Sequence, residues 1–391
     1  MNPGQDVSGT KSGATVAAAA ADDRLAPREV PLLTADLPGT SGSVRLSAED
    51  FRVEELPLYE ASGEGAHLYL LVEKVGRTTP DVAREIGRAL SVRERDVGYA
   101  GLKDKRAVTV QRFSVPVPPR SAEFAQRGAL ASGDGWSVLS AALHGNKLRT
   151  GHLRGNRFRI AVRGTIPGAL ERAGRICAEL ESRGAPNLYG AQRFGRRGDN
   201  AALGAAILRR EAAPRDRFLR RLALSALQAE VFNRCLSARL RDGLFEQAIP
   251  GDVLRKRDTG GLFVCEDAAA DTARVRSGEV DPTGPLPGHS AFPARADALA
   301  REDAVLAEAG IDPRSFAVGG GEMEGTRRPY RVPLEDLRVA PEGADGLILE
   351  FALPRGSYAA CVLREVMKEG PPDEEDCQDR TSSFDPSPGA R

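Results

Sequence analysis

Gly98-Tyr99-Ala100-Gly101-Leu102-Lys103-Asp104-Lys105-Arg106 is the stretch on which the reading of this chain turns. It separates two strand-like runs, Val97–Ala100 and Val108–Val115, so residues 101–105 read as a loop. Glycines let the backbone turn tightly, and a loop between strands can present one side chain in a cleft. Asp104 has Lys103, Lys105 and Arg106 as sequence neighbours. Nearby cations favour a carboxylate over a carboxylic acid. An ordinary aspartate, titrating near about 3.9, is already ionised at neutral pH. Such a group suits nucleophilic attack better than general-acid work. Two plainer readings compete: a turn aspartate in a charged hairpin, and a phosphate-binding glycine loop. The second is disfavoured because neither Gly-x-x-x-x-Gly-Lys-Ser/Thr nor Gly-x-Gly-x-x-Gly is present.

Working outward, Asp50–Glu54 and His67–Glu73 alternate like strands, with a turn at Ser62-Gly63-Glu64-Gly65. A helix follows, with Thr79 as N-cap, Pro80 in the first helical position, and Val82, Ile86 and Leu90 on one face. Residues 157–162 read as a strand and 171–181 as a helix. Residues 217–241 form a long helix with Leu222, Ala226, Ala229, Leu236 and Leu240 as its apolar stripe. Residues 267–300, rich in Pro, Gly, Asp and Ala, read as loops and short helices. A strand over 347–353 and a helix over 358–368 close the ordered part. Strand and helix are mixed without βαβ repeats. Residues 1–30 and 370–391 read as disordered tails, the second acidic.

A chain of 391 residues suggests two or three domains. It is long enough to fold without disulfides or metals. Its five cysteines form no Cys-x-x-Cys, its four histidines are scattered, and no His-Glu-x-x-His occurs. No metal site is expected. Scattered free thiols fit a reducing cytoplasm. No run approaches 18 apolar residues, so no membrane span is expected, and the N-terminus lacks a signal-peptide pattern. The net charge of zero conceals local fields. Residues 144–160 hold Lys147, Arg149, Arg154, Arg157 and Arg159 with no acid, and residues 193–221 hold nine arginines. Such fields govern binding to phosphates.

Gly98–Thr109 (GYAGLKDKRAVT) resembles the signature of the TruD family of tRNA pseudouridine synthases. Three further segments, in family order, carry the same resemblance. Asp50–Glu55 (DFRVEE) with Gly63–His67 resembles the opening strand and its turn. Asn187–Gly195 (NLYGAQRFG) resembles the NxxGxQRFG motif, and Leu353–Tyr358 (LPRGSY) resembles LPxGSF. The resemblance implies an α/β (α+β) fold: a mixed, largely antiparallel catalytic sheet with helices over 31–212 and 336–369. A second α/β domain, inserted at 213–335, would form an RNA-binding cleft with it. It implies breakage of a uridine C1′–N1 bond, rotation of the base, and rejoining through C5, without cofactor or metal.

Asp104 falls on the catalytic aspartate, which could attack ribose C1′ or uracil C6, or stabilise a glycal. Tyr59, Tyr189 and Tyr358 stand where relatives often carry phenylalanine; their rings could stack on a flipped base. The amide of Asn187 suits the uracil edge. Lys103, Lys105, Arg106 and Arg193 are the expected RNA contacts, and Glu55 could pair with a basic residue near the site or lie on the surface. The implied substrate is a tRNA uridine at position 13, and the partner is tRNA alone, with no membrane or protein partner and a monomeric chain. The competing readings are a non-catalytic RNA-binding or folding module on the same scaffold, and an aspartyl-phosphate enzyme.

Overall fold

Period-two burial marks the strand that organises the molecule. In Phe51–Pro57, Phe51, Val53 and Glu55 point inward while Arg52 and Glu54 face solvent. This strand sits inside a ten-stranded sheet. From one edge the order is Glu335–Glu342, Gly346–Pro354, Leu153–Arg163, Phe51–Pro57, Val108–Pro116, His67–Val75, Trp136–His144 and Ser132–Gly133. Ser43–Val44 adds to Leu153–Arg163, and Gly98–Tyr99 adds to Val108–Pro116. All pairings are antiparallel except Phe51–Pro57 with Val108–Pro116, which run parallel. The mixed, largely antiparallel sheet expected from the resemblance is therefore present. The computed structural model describes Leu25 and residues 30–118, 122–195, 197–318 and 323–368. The two expected disordered tails lie outside these residues, save Leu25 and Val30.

Helices Ala169–Arg183 and Ala359–Met367 bury Ile176, Leu180, Val362 and Val366 against Phe51, Val53, Phe158, Ile160 and Phe351. Helix Thr79–Leu90 lays Val82, Ile86 and Leu90 over Leu70, Val72 and Phe113. Its N-cap is Thr78, whose Oγ1 accepts from the Asp81 backbone at 3.2 Å. Thr79 is the first helical residue instead and is fully buried. Part of the sheet stays open to water, and there opposite charges pair across strands: Arg159 with Glu350 on the neighbouring strand, and Arg52 with Glu73, Arg157 with Asp336 and Arg154 with Glu335 across one intervening strand.

A second, four-stranded antiparallel sheet runs Leu262–Val264, Val253–Lys256, Val280–Leu286, Thr326–Pro329. Around helix Arg217–Arg241 gather Asn200–Leu208, Ala296–Glu308 and the strand Val280–Leu286. That strand corrects the expectation of loops and short helices over 267–300. Pro282 and Pro285 lack the N–H of a ladder. The strand tolerates them because residues 280–282 pair on one side and 283–286 on the other. Pro282 still contributes its carbonyl, accepting from Tyr330 N at 2.9 Å. A short ladder, Arg331–Val332 with Ala185–Pro186, ties this unit to the large sheet. Arg331 reinforces the tie, pairing with Asp281 at 2.6 Å and donating to the Arg183 carbonyl at 3.3 Å.

Candidate active site

The expected strand 97–100 shrinks to Gly98–Tyr99, and Asp104 sits in the loop that follows. Gly98 is required by close approach: a Cβ there would lie 2.3 Å from the Leu148 carbonyl. Gly101 has open space and is not needed for that reason.

The loop is held from beneath. Thr79 Oγ1 donates to Gln111 Oε1 at 2.8 Å and accepts from Lys103 N at 3.0 Å, while Gln111 Nε2 donates to the Gly101 carbonyl at 3.3 Å. Lys74 is completely buried, and its ammonium donates to the carbonyls of Arg77 and Asp104 at 2.8 Å and approaches that of Lys103 at 3.5 Å. A buried cation is expensive unless its donors are used, and these carbonyls use them.

The Asp104 side chain is one-fifth exposed. Its Oδ1 accepts from Arg106 N at 2.9 Å, and its Oδ2 pairs with Arg45 at 2.9 Å. Arg45 has φ +64°, a left-handed conformation that costs a non-glycine residue about 1–2 kcal/mol. The guanidinium is held over the Phe51 ring, 4.2 Å from its centroid, and against Asp104. Sequence inspection missed Arg45, Lys74, Thr79 and Gln111. Only the position of Thr79 at a helix start hinted at a special role.

Lys103 corrects an expectation. Its ammonium is turned inward, pairing at 3.0 Å with Glu55, whose side chain is 1% exposed. Glu55 also accepts from Arg112 N at 3.2 Å. Lys103 is thus a buried anchor of the loop and offers no charge to a phosphate. Lys105 and Arg106 are exposed.

The second part of the site gathers around Arg328, which the sequence reading also missed. Arg328 donates to Asn187 Oδ1 and to the Gly356 carbonyl, the latter at 2.9 Å. Its guanidinium lies 4.2 Å from the ring centroid of Tyr189 and 5.9 Å from that of Tyr358. The rings of Tyr189 and Tyr358 are 6.1 Å apart, and burial raises the Tyr358 phenol above its ordinary value. Asn187 is buried; its Nδ2 donates to the Pro329 carbonyl at 2.9 Å. One N–H and one lone pair of its amide remain for a ligand. Asn233 fixes Tyr189 by bonding both its N–H and its carbonyl. Arg193 donates to Ser225 Oγ and sits 5.7 Å from the Tyr189 ring.

Tyr59 lies beside the loop that carries Asp104, packed near Ala100. Its ring stacks on His144 at 5.0 Å, and its hydroxyl is 2.8 Å from His152 Nδ1. The turn 149–152 joins all three groups. Gly151 N donates to the Ala100 carbonyl at 2.8 Å, His152 meets Tyr59, and Arg355 donates to the Gly151 carbonyl at 2.9 Å. Arg355 precedes Gly356 and Tyr358, so Asp104, Tyr59 and the Asn187–Tyr358 group border one region.

The basic run 144–160 is largely neutralised: Arg159 faces Glu350 on the adjoining strand, and Arg154 and Arg157 face Glu335 and Asp336 one strand further out. Cys361 borders the site, but burial pushes its thiol up to about 11, which removes it as a nucleophile at neutral pH. Among the described residues, no three His, Cys, Asp or Glu side chains are grouped to hold a metal, and no helix is long and apolar enough to cross a membrane. Aromatic rings and a buried amide bordering one region with a partly exposed carboxylate can hold a planar heterocycle.

The model of the TruD family, described as tRNA pseudouridine synthase D, matches residues 29–214 and 215–366. The tRNA pseudouridine synthase D of Anaeromyxobacter sp. (strain Fw109-5) is 54% identical over 348 residues, covering 88% of this chain and 97% of that protein. A tRNA pseudouridine synthase D of Thermus thermophilus is 44% identical over 342 residues, covering 88% of this chain and 93% of that protein. A crystal structure of a candidate tRNA pseudouridine synthase D from Methanosarcina mazei aligns with a TM-score of 0.72 and 25% identity, covering 88% of this chain and 99% of that one.

Proposed function

Because this chain belongs to the TruD family of tRNA pseudouridine synthases, we propose that Asp104 is the nucleophile with which it acts. The protein is an isomerase that converts uridine to pseudouridine in tRNA. The target we propose is the uridine at position 13. The observation that carries the role of Asp104 is its mounting. A partly exposed carboxylate is fixed through both oxygens, by Arg45 and by the Arg106 amide, over the buried ammonium of Lys74. Preorganisation of this kind is what attack on a flipped nucleotide requires.

In this reading Asp104 attacks ribose C1′ or uracil C6, or it stabilises a glycal. The glycosidic C1′–N1 bond breaks, and the base turns and rejoins through C5. Tyr59, Tyr189 and Tyr358 supply ring faces, and the free amide hydrogen and lone pair of Asn187 meet the uracil edge. Lys105, Arg106 and Arg193 approach the backbone. Residues 31–212 and 336–369 make the catalytic domain, with 213–335 inserted. The strands of the four-stranded sheet all fall inside that insertion. The protein acts as a monomer in the cytoplasm; its four described cysteines, all free and buried, fit that setting.

Incubation with an unmodified tRNA transcript, followed by site-resolved pseudouridine mapping, tests the reading. Wild type forms pseudouridine at one site, and Asp104→Asn binds the RNA without product. Product from Asp104→Asn overturns the nucleophile. Binding without product by wild type leaves the RNA-binding or folding module.

A further inference from the structure

Helix Arg217–Arg241 carries Arg217, Arg221, Ser225 and Gln228 along one face. The lower part of this stripe belongs to the site. Ser225 receives Arg193, whose own buried Nε has no hydrogen-bond partner among the described residues. Gln228 donates to the Pro287 carbonyl at 2.7 Å. The upper part is open. Arg217 and Arg221 are exposed, and among the described residues neither side chain has an ion-pair or hydrogen-bond partner. Phe218 stands between them, 55% exposed. At 1.5 Å per residue, Arg217 lies about 12 Å along the helix from Ser225.

These arginines do not serve the fold. The first turn holds no acid. Cations there face the positive end of the helix dipole, and Arg217 repels Arg221 one turn away. The arginines of the large sheet differ: Arg154, Arg157 and Arg159 each face a carboxylate. Side chains that break a local rule without a compensating contact point to a task outside the chain. Two unneutralised guanidiniums fit phosphates, and an exposed ring fits an unpaired base. An RNA strand supplies both in one ligand.

We propose that Arg217, Phe218 and Arg221 form a second tRNA contact, continuous with the catalytic site. It holds the backbone next to the flipped nucleotide and stacks one neighbouring unpaired base. The proposal rests on the tRNA reading above and extends it to residues outside the reacting region.

Binding of an unmodified tRNA transcript, measured across a salt series, tests it. Arg217→Gln/Arg221→Gln lowers the magnitude of the slope of log K against log salt by about 1.4–1.8, the value for the loss of two phosphate contacts and the counterions they release. The same variant melts no lower than wild type. Phe218→Ala weakens binding roughly 5–150-fold with the slope unchanged. Arg157→Gln/Arg159→Gln, at paired positions, keeps the wild-type slope. An unchanged slope in the first variant, or an equal loss in the paired control, overturns the contact. Pseudouridine formation by wild type is read separately. If wild type forms product and the slope does not move, only the stripe fails. If wild type forms none, the enzymatic reading fails, while a lowered slope still identifies an RNA surface.

Discussion

The Asp104 loop and the Asn187 pocket are built in opposite ways. The loop around Asp104 is anchored mainly by residues close in sequence: Lys74, Thr79 and Gln111 lie within about thirty positions of it. The pocket depends on Arg328, 141 positions from Asn187, arriving from the four-stranded sheet. One part is preset by a single sheet, and the other exists only where two sheets meet. In the proposed reading, chemistry is mounted on the frame built by one sheet, and recognition on the joint.

The sharpest way to break this contrast is Asp104→Asn. Loss of a nucleophile lowers kcat by roughly 10^4-fold or more, with tRNA affinity retained. A fall in affinity instead of kcat would move chemistry out of the loop. Next is Arg328→Ala, which removes the partner of Asn187 Oδ1 and the cation between Tyr189 and Tyr358. We expect kcat/KM to fall about 100-fold, equivalent to roughly 2.7 kcal/mol, largely through KM. An effect confined to kcat would erase the division of labour.

Lys74→Met tests the frame of the loop. Carbonyls of Arg77 and Asp104 lose their donor, each at about 1–3 kcal/mol. Melting temperature and kcat should fall together, by about tenfold in kcat, with KM little changed. Smaller still is the coupling between Tyr59 and His152. A double-mutant cycle with Tyr59→Phe and His152→Ala should give about 1 kcal/mol in kcat/KM; additivity would detach Tyr59 from the turn 149–152.

The smallest effect is a pH dependence. Burial raises the Asp50 carboxyl, but bonds from Arg163 and Ser47 outweigh it and hold the group below its usual range. A depressed carboxylate stabilises above the unfolded value and loses that contribution as pH falls through the folded one. Asp50→Asn should therefore melt lower than wild type at pH 7, with the gap closing below about pH 4.

What the sequence disclosed follows the same contrast. Helix 217–241 and the strand after Asp104 were legible because their periodicity is local. Asp104 was legible because its motif is contiguous. Lys103 misled because sequence adjacency to Asp104 says nothing of direction; its side chain turns to Glu55 and that of Asp104 to Arg45. The run Arg154–Arg159 misled because its acids come from strands far later in the chain. The strand at 280–286 was hidden by prolines that half-pairing tolerates. Arg45 and Arg328 had no local signal at all, since long-range pairing selects them.

The lateness of Arg328 in the chain has a consequence for the growing polypeptide. Synthesis reaches Asp104 roughly 250 residues before Tyr358, an interval of about 13–50 s at ordinary translation rates. Throughout it, a nascent chain carries the proposed nucleophile but not the pocket proposed to receive a base. On the proposed reading, a product that stops short of Tyr358 would be chemically mute toward RNA, and modification becomes a report that synthesis has passed that point and the two parts have folded together.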